Sequence, residues 1–177
     1  MQFGAVRGPL TRQKLALPEN TPLGDPGLLV SKLLRGKGQK KYRWGIVPHI
    51  NDRQLPVIGE MLRQTPNARF IDLGAPDLMQ TLADMAACEF IISSSLHGLV
   101  TADALGVPNI WMEISQNVKG GGFKFRDYFA SVEREVAAII NPPANLTALE
   151  DSLTCARAHI ITQRQNDLEK GWQQLDF

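Results

Sequence analysis

The chain has 177 residues, a formal net charge of +1 and a hydrophobic fraction of 44%. A chain of this size and composition can bury one core, which excludes an intrinsically disordered protein. The balanced charge excludes an electrostatic footprint for nucleic acid or for an acidic membrane surface. No apolar run approaches the roughly 18 residues that a membrane-spanning helix needs.

The two cysteines indicate a reducing compartment. Cys88 and Cys155 each lie in an apolar helical pattern, and we expect both to be buried, reduced thiols. The first residues also lack the apolar segment of a secretory signal, so we expect a cytoplasmic protein. The three histidines, His49, His97 and His159, are far apart and no CxxC or HExxH motif is present, so we predict no metal and no cofactor.

The first 41 residues are rich in proline, glycine and basic side chains. Their patterns predict a strand over 2–6, a helix over 10–17, a loop over 18–26 and a solvated, mobile basic linker over 36–41.

From residue 42 onward, strands alternate with helices. We predict strands over 43–47, 68–73, 90–92, 109–113 and 136–140, and helices over 54–64, 76–88, 96–104, 123–132 and 146–175, the last of them bent or interrupted. This alternation predicts the α/β class, with a Rossmann-like parallel sheet that carries helices on both faces.

The segment FIISSSLHGLVTADALG, residues 90–106, combines a buried strand, a polar turn and a helix. Ser93, Ser94 and Ser95 end the strand, and His97 lies in the first helical turn. Serine hydroxyls can cap the free amides of that turn, and the helix dipole favours an anion there. The segment therefore predicts either a phosphate site or an ordinary strand-to-helix turn with a surface histidine.

Other polar residues are predicted to share the same edge of the sheet, because ligands bind beyond the carboxyl ends of parallel strands. His49 follows the first of these strands, and Asp52 is either a base or, with Asn51, a helix cap. Lys119 and Lys124 flank three glycines in a loop that either closes over an anion or is simply mobile.

Five segments resemble the polysaccharide pyruvyl transferase family, in the family's order. They are VRGPLT at 6–11, LGDPGLL at 23–29, PHIND at 48–52, SSSLHG at 93–98 and FKFRDY at 123–128. Gly27 stands where the family usually has alanine, and the SSSLHG segment is followed by ADA at 102–104 and GVP at 106–108. Each segment alone is weak evidence, but their order makes the resemblance specific.

The resemblance implies that phosphoenolpyruvate donates a pyruvate ketal to two hydroxyls of a sugar in a cell-surface polysaccharide or its lipid-linked precursor. It also implies two Rossmann-like domains with the site between them. The residues tied to donor binding and catalysis are His97, as acid or phosphate ligand, and Arg7, whose guanidinium suits a carboxylate or phosphate. The expected substrate-binding residues are His49, Asp52, Ser93, Ser94, Ser95, Lys119 and Lys124.

Family members are usually much longer than this chain. We therefore interpret residues 1–35 as a remnant of the first domain, 36–142 as the donor-binding domain and 143–177 as a C-terminal helix. A strand over 2–6 without its own sheet would expose unpaired edges, which predicts a homodimer. Enzymatic activity is then expected only if the missing domain is supplied.

Two other functions stay open at this stage. One is a glycosyltransferase that uses a sugar nucleotide and needs an acidic residue for the ribose, for which Glu113 is the only candidate at a strand end. The other is a catalytically silent binding or assembly module.

Overall fold

The computed structural model describes residues 3–34, 36 and 38–173. The strands are β1 (Tyr42–Val47), β2 (Ala68–Phe70), β3 (Cys88–Ser93), β4 (Asn109–Glu113) and β5 (Ala138–Ile140). The α-helices are α1 (Pro9–Lys14), α2 (Pro56–Gln64), α3 (Leu78–Ala86), α4 (Leu96–Ala104), α5 (Phe123–Ser131) and α6 (Ala158–Gln173), and 3₁₀-helices span Pro26–Leu33 and Leu146–Ser152.

All five strands are parallel and lie in the order β2-β1-β3-β4-β5. The central strands carry apolar residues on both faces, as a sheet covered on both sides requires. Trp44 and Ile46 of β1 pack with α2 and the second 3₁₀-helix, whereas Val47 packs with α3 and α4. The α/β prediction, with a parallel sheet and helices on both faces, is confirmed.

The strand order reverses between β1 and β3. The chain leaves β1 toward β2 on one side, then crosses back to β3 and continues to β4 and β5 on the other. Connections that diverge in this way leave a crevice beyond the carboxyl ends of the two strands where the order reverses. In this protein those strands end at Val47 and Ser93, so the fold itself places the crevice beside His49 and the serine turn.

A buried carboxylate joins the elements on one face of the sheet. Asp103, at the end of α4, accepts hydrogen bonds from Arg134 (2.7 and 2.8 Å), Asn109 (2.8 Å), the Tyr128 hydroxyl (2.8 Å) and the Ala156 amide (3.0 Å). Its side chain is completely buried and that of Arg134 is 8% exposed. Helices α4 and α5, strand β4 and the segment before α6 therefore share one polar centre.

The start of the chain differs from the prediction. Residues 1 and 2 lie outside the described part of the chain. Val6 makes a single parallel bridge with Leu23, and residues 3–5 are not in a strand. The predicted strand over 2–6 is thus wrong in its described part, because Gly8 and Pro9 turn the chain into α1. The described residues therefore lack the unpaired strand edge from which a homodimer was predicted. The homodimer itself stays a prediction.

The first segment packs on the same core as the sheet. Asp127 of α5 accepts hydrogen bonds from the amide (3.0 Å) and the hydroxyl (2.5 Å) of Thr11 in α1. A Cβ on Gly8 would lie 2.0 Å from the carbonyl oxygen of Asp127, so only glycine fits there. Leu28, in the first 3₁₀-helix, is fully buried in the cluster formed with α4, α5 and α6.

The predicted basic linker lies only partly in the described chain, which omits residues 35 and 37. Lys40 does not behave as a free linker residue, since its ammonium donates to the carbonyl oxygens of Ala86 (2.9 Å) and Cys88 (2.6 Å).

The helix predicted over 146–175, which was expected to be bent or interrupted, is interrupted within the described residues. Leu146–Ser152 is a 3₁₀-helix, and α6 begins only at Ala158. Between them Thr154 bridges Asn109 of β4, and the Asn109 amide donates to the Thr154 carbonyl at 2.7 Å. Because this segment pairs with a distant strand, it does not join a helix. The apolar periodicity of the local sequence cannot reveal such a pairing. Residues 174–177 lie outside the described chain.

The cysteines also lie outside helices, contrary to the prediction. Cys88 opens β3 and is buried, whereas Cys155 follows the extended segment that pairs with β4 and is only half-buried. Burial raises the pKa of each thiol to about 12, which keeps both protonated at neutral pH.

Within the described residues, no helix combines the length and the hydropathy needed to cross a membrane.

Replacing Arg134 with methionine is expected to lower the free energy of unfolding by about 3–5 kcal/mol, because it leaves the Asp103 carboxylate buried without its cation. Urea denaturation followed by circular dichroism measures this loss. Arg157→Met is the matched control: its pair with Glu133 is exposed, at 60% and 47%, and is worth less than about 1 kcal/mol. Equal effects of the two changes would contradict a structural role for Asp103.

Candidate functional site

The ends of three adjacent strands are tied together by one carboxylate. Asp52 follows β1 and is fully buried. It accepts hydrogen bonds from the hydroxyls of Ser94 (2.7 Å), at the end of β3, and Ser115 (2.5 Å), at the end of β4. The Ser94 hydroxyl in turn accepts from the His49 amide at 2.8 Å. The loops at the strand-order reversal are thus held in one arrangement.

Asp52 is not the helix cap that the sequence allowed. Helix α2 begins at Pro56 behind Leu55, and no side chain caps it. Pro56 lies in the first turn of α2, where its missing N–H removes no helical hydrogen bond.

The side chains of Ser93, Ser94 and Ser95 are buried, so their hydroxyls are not presented to solvent, and those of Ser93 and Ser94 hold the turn in place. The Ser93 hydroxyl is buried between the carbonyl oxygens of Val47 (2.7 Å) and Ser95 (2.9 Å), and it accepts from the Ser95 amide. A Cβ on Gly98 would lie 2.2 Å from that hydroxyl, so glycine lets α4 pack directly on the strand ends. Ser95 occupies the N-cap position, but its side chain does not cap the helix, contrary to expectation.

His97 lies in the first turn of α4, beside the uncapped helix end. It is exposed, although the residues on either side of it in sequence are buried. Its ring makes no hydrogen bond or ion pair with the described residues. An imidazole held on a rigid turn but left without a protein partner is available to a ligand or to proton transfer.

His49, which follows β1, is half-buried. The Asn51 amide donates to its Nδ1 at 3.2 Å, which assigns the ring proton of the neutral form to Nε2. Burial lowers the pKa of His49, and the positive charge of Lys124 lowers it further, while Asp52 partly opposes the change. A neutral imidazole with an Nε2–H donor is therefore favoured in the free protein.

Arg7 is held at its Nε, which donates to Asp25 at 2.8 Å. Asp25 is 2% exposed and also accepts from the Gly27 amide, so the carboxylate that orients Arg7 is itself fixed. Within the described chain the two terminal nitrogens of Arg7 have no hydrogen-bond partner. They form the planar pair that binds a carboxylate or phosphate with two parallel hydrogen bonds.

The glycine loop leads into Lys124. Gly120, Gly121 and Gly122 all have positive φ, at 105°, 52° and 73°, a conformation that other residues rarely adopt. Lys119 is exposed on this loop, whereas Lys124 is half-buried in the first turn of α5. Burial lowers the pKa of Lys124, and the nearby charge of Arg7 lowers it further.

Two positive groups, Arg7 and Lys124, and the neutral imidazole of His49 therefore act on one another from three separate parts of the chain. Arg7 acts on Lys124 and Lys124 acts on His49, through charge repulsion in the free protein. Cations that repel one another are stabilised when an anion binds between them. The arrangement is that of a site for a ligand with more than one negative charge.

A pocket adjoins this cationic group and opens to solvent. Asp52 and Ser94 line it, together with the end of β4, the glycine loop and Phe125 of α5. Phe125 stacks on Trp111, with ring centres 4.2 Å apart and planes 7° apart. Of the predicted site residues, only Asp52 and Ser94 line the pocket, whereas Arg7, His49, His97, Lys119 and Lys124 do not.

Three residues that matter to this geometry were missed by sequence reasoning. Asp25 orients Arg7, Ser115 holds the loop after β4 to Asp52, and Asp127 docks the Arg7 segment on α5. Asp25 and Asp127 lie within the segments quoted above, and Ser115 is a hydroxyl near a strand end. Their partners lie 18 to 116 residues away in sequence, so local patterns could not assign them.

The described residues contain no group of three or more histidine, cysteine, aspartate or glutamate side chains placed to bind a metal ion.

Comparison with known proteins supports the motif analysis. A family model for polysaccharide pyruvyl transferase matches residues 5–116. "Uncharacterized protein L143" of Acanthamoeba polyphaga mimivirus is 30% identical over 118 residues, which cover 64% of this chain and 41% of that protein. "Succinoglycan biosynthesis protein ExoV" of Rhizobium meliloti (strain 1021) is 27% identical over 125 residues, which cover 70% of this chain and 38% of that protein.

The chain thus spans about two fifths of the length of the curated relatives it matches. No solved structure shows a significant match.

Replacing Lys124 with methionine is expected to raise the pKa of His49, because it removes a positive charge that disfavours the imidazolium. The pKa is measured by NMR titration of the histidine ring protons. Lys119→Met is the matched control, since that exposed lysine has no effect on His49 and should leave its pKa unchanged. An unchanged His49 pKa in Lys124→Met would show that the two groups do not share a site.

Proposed function

The chain belongs to the polysaccharide pyruvyl transferase family, and from this premise we propose that it binds phosphoenolpyruvate at the strand-order reversal and transfers a pyruvate ketal to a saccharide. The family match includes Arg7, His49, Asp52 and His97. Lys124 lies beyond the matched range, and its place in the proposal rests on the resemblance of the FKFRDY segment and on the structure.

One observation carries the proposal. Arg7 and Lys124 bring two positive charges to the sheet edge beside the His49 ring, and within the described residues Asp25 pairs with Arg7 while Lys124 has no ion pair. Phosphoenolpyruvate carries a phosphate ester and a carboxylate on the same carbon. Two anionic groups on one small ligand fit several cations on one rim better than any single phosphate does.

The roles of the residues follow from their surroundings. Arg7 presents its terminal nitrogens to the carboxylate or phosphate, and Lys124 neutralises the second anionic group. His49 donates from Nε2, since its Nδ1 already accepts from Asn51. His97 lies on the rigid turn of α4 and is free to donate a hydrogen bond to the phosphate of the donor or to protonate its methylene carbon.

The saccharide acceptor is supported by a relative. The ExoV protein is named for succinoglycan biosynthesis, and succinoglycan is a polysaccharide. We extend to this chain the coarser property, a sugar acceptor that belongs to a polysaccharide or its precursor. Because the chain spans about two fifths of that relative, the complete reaction is proposed for the protein as a whole.

Isothermal titration calorimetry with phosphoenolpyruvate tests the proposal. His97→Ala is expected to weaken binding by roughly tenfold or more, the loss of one charge-assisted hydrogen bond. Its melting temperature should stay within a few degrees of the unaltered protein, because an exposed side chain contributes little to the core. His159→Ala, which removes an exposed histidine of α6, is the matched control and should bind normally.

Parallel titrations with UDP and GDP test the rival function, a glycosyltransferase that uses a sugar nucleotide. Binding of a nucleotide without phosphoenolpyruvate would replace the proposal with a glycosyltransferase. Phosphoenolpyruvate binding that His97→Ala and His159→Ala leave equally unchanged would remove His97 from the site.

A further inference from the structure

The pocket beside the cationic group has a chemistry of its own. Its lining contains two carboxylic acids, Asp52 and Glu113, and the polar side chains of Ser94, Ser115 and Gln116. Neither lysine, arginine nor histidine lines it. The apolar side chains of the lining are those of Trp111, Met112, Ile114, Val118 and Phe125.

Glu113 stands apart from the other acidic residues. It ends β4, is half-buried and lines the pocket. Its carboxylate makes no hydrogen bond or ion pair within the described chain. Every other described carboxylate that is buried or half-buried accepts a hydrogen bond or pairs with a cation, as Asp103 and Asp52 do. A partly buried carboxylate without a donor is costly unless a ligand supplies one.

Strand geometry directs Glu113 to the side of the sheet where the pocket lies. Side chains two residues apart on a strand share a face, so Glu113 lies on the same face as Trp111. Trp111 stacks on Phe125, and both line the pocket. The ammonium of Lys124 lies 5.4 Å from the centre of the Phe125 ring. The pocket and the cationic group are therefore neighbours that share one aromatic side chain.

The two halves of this region suit two different ligands. The cationic half attracts a ligand with negative charge, whereas the acidic half repels one. Carboxylates only accept hydrogen bonds when ionised, so they select a ligand rich in O–H donors. Together with the apolar lining, this describes a sugar ring, with hydroxyls toward Glu113 and C–H groups toward apolar side chains such as Val118.

We propose that this pocket binds the acceptor sugar and that Glu113 is the base that takes the proton of the attacking hydroxyl. The proposal rests on the function proposed above, which it deepens by assigning the acceptor half of the site. It places the acceptor oxygen beside the cationic group that holds the donor. Asp52 is a positioning residue in this scheme, because both its oxygens already bond to Ser94 and Ser115.

The reaction balances with these groups. An acid protonates the methylene carbon of phosphoenolpyruvate, and the first sugar hydroxyl forms a C–O bond to the neighbouring carbon while its proton passes to Glu113. The bond from that carbon to the phosphate oxygen breaks, and the phosphate departs with the electron pair. The second hydroxyl then forms its own C–O bond and gives up its proton to the departing phosphate, so that ketal and hydrogen phosphate are the products.

Two measurements on the full chain test the proposal. The ligands used are phosphoenolpyruvate and a methyl hexopyranoside that carries free 4- and 6-hydroxyls. Saturation-transfer NMR reports contact between protein and glycoside. Val118→Trp, which fills the pocket, is expected to abolish this contact while phosphoenolpyruvate affinity, measured by calorimetry, is unchanged. Glycoside contact that survives Val118→Trp would overturn the pocket assignment.

The rate of phosphate release from phosphoenolpyruvate, measured in the presence of the glycoside, tests the role of Glu113 as the base. Glu113→Gln is expected to slow release by roughly 100-fold or more, the usual contribution of a general base, with donor affinity unchanged. Glu135→Gln, which alters an exposed carboxylate that also has no partner among the described residues, is the matched control and should react normally. A Glu113→Gln variant as fast as the control would overturn the role of Glu113 and leave the proposed function intact. Failure of the unaltered chain to bind phosphoenolpyruvate would overturn the proposed function itself.

Discussion

The structure depends on a single buried carboxylate. Asp103 accepts hydrogen bonds from Arg134, Asn109, Tyr128 and the amide of Ala156, and so fixes α4 and α5 relative to β4. A buried charge is tolerated only when hydrogen-bond donors surround it in good geometry. Loss of one of these donors therefore destabilises the whole centre. The helices it joins begin at the sheet edge with His97 and Lys124, so the geometry of the rim depends on an interaction at the opposite ends of those helices.

The rim itself follows from strand order. Because the strand order reverses between the parallel strands β1 and β3, the loops after these strands diverge and leave space for a ligand. Asp52 then removes most of the freedom of those loops, since its two oxygens hold Ser94 and Ser115. A site with this degree of order can hold the proposed donor and the proposed acceptor in a reactive arrangement without a large loss of entropy on binding.

Arg7 reaches the rim only through long-range contacts. Asp127 holds the start of α1 on α5, and Asp25 fixes the Nε of Arg7. The sequence motifs placed Arg7 and the residues after β1 and β3 in one site by resemblance, and the alternation of strands and helices predicted the fold class correctly. Neither approach could find Asp25 or Ser115 as partners, because a hydrogen bond between residues far apart in sequence leaves no local pattern.

The amino-acid sequence by itself determined the parallel α/β sheet and the family, because apolar periodicity and the short motifs are local properties. Tertiary structure alone decided where helices start and stop at both chain ends: Val6 pairs with Leu23, and Thr154 pairs with Asn109 instead of extending a helix. It also decided that Glu113 is the half-buried carboxylate left without a partner in the described chain. Such choices depend on which distant groups meet, and their energies outweigh the small differences in local propensity.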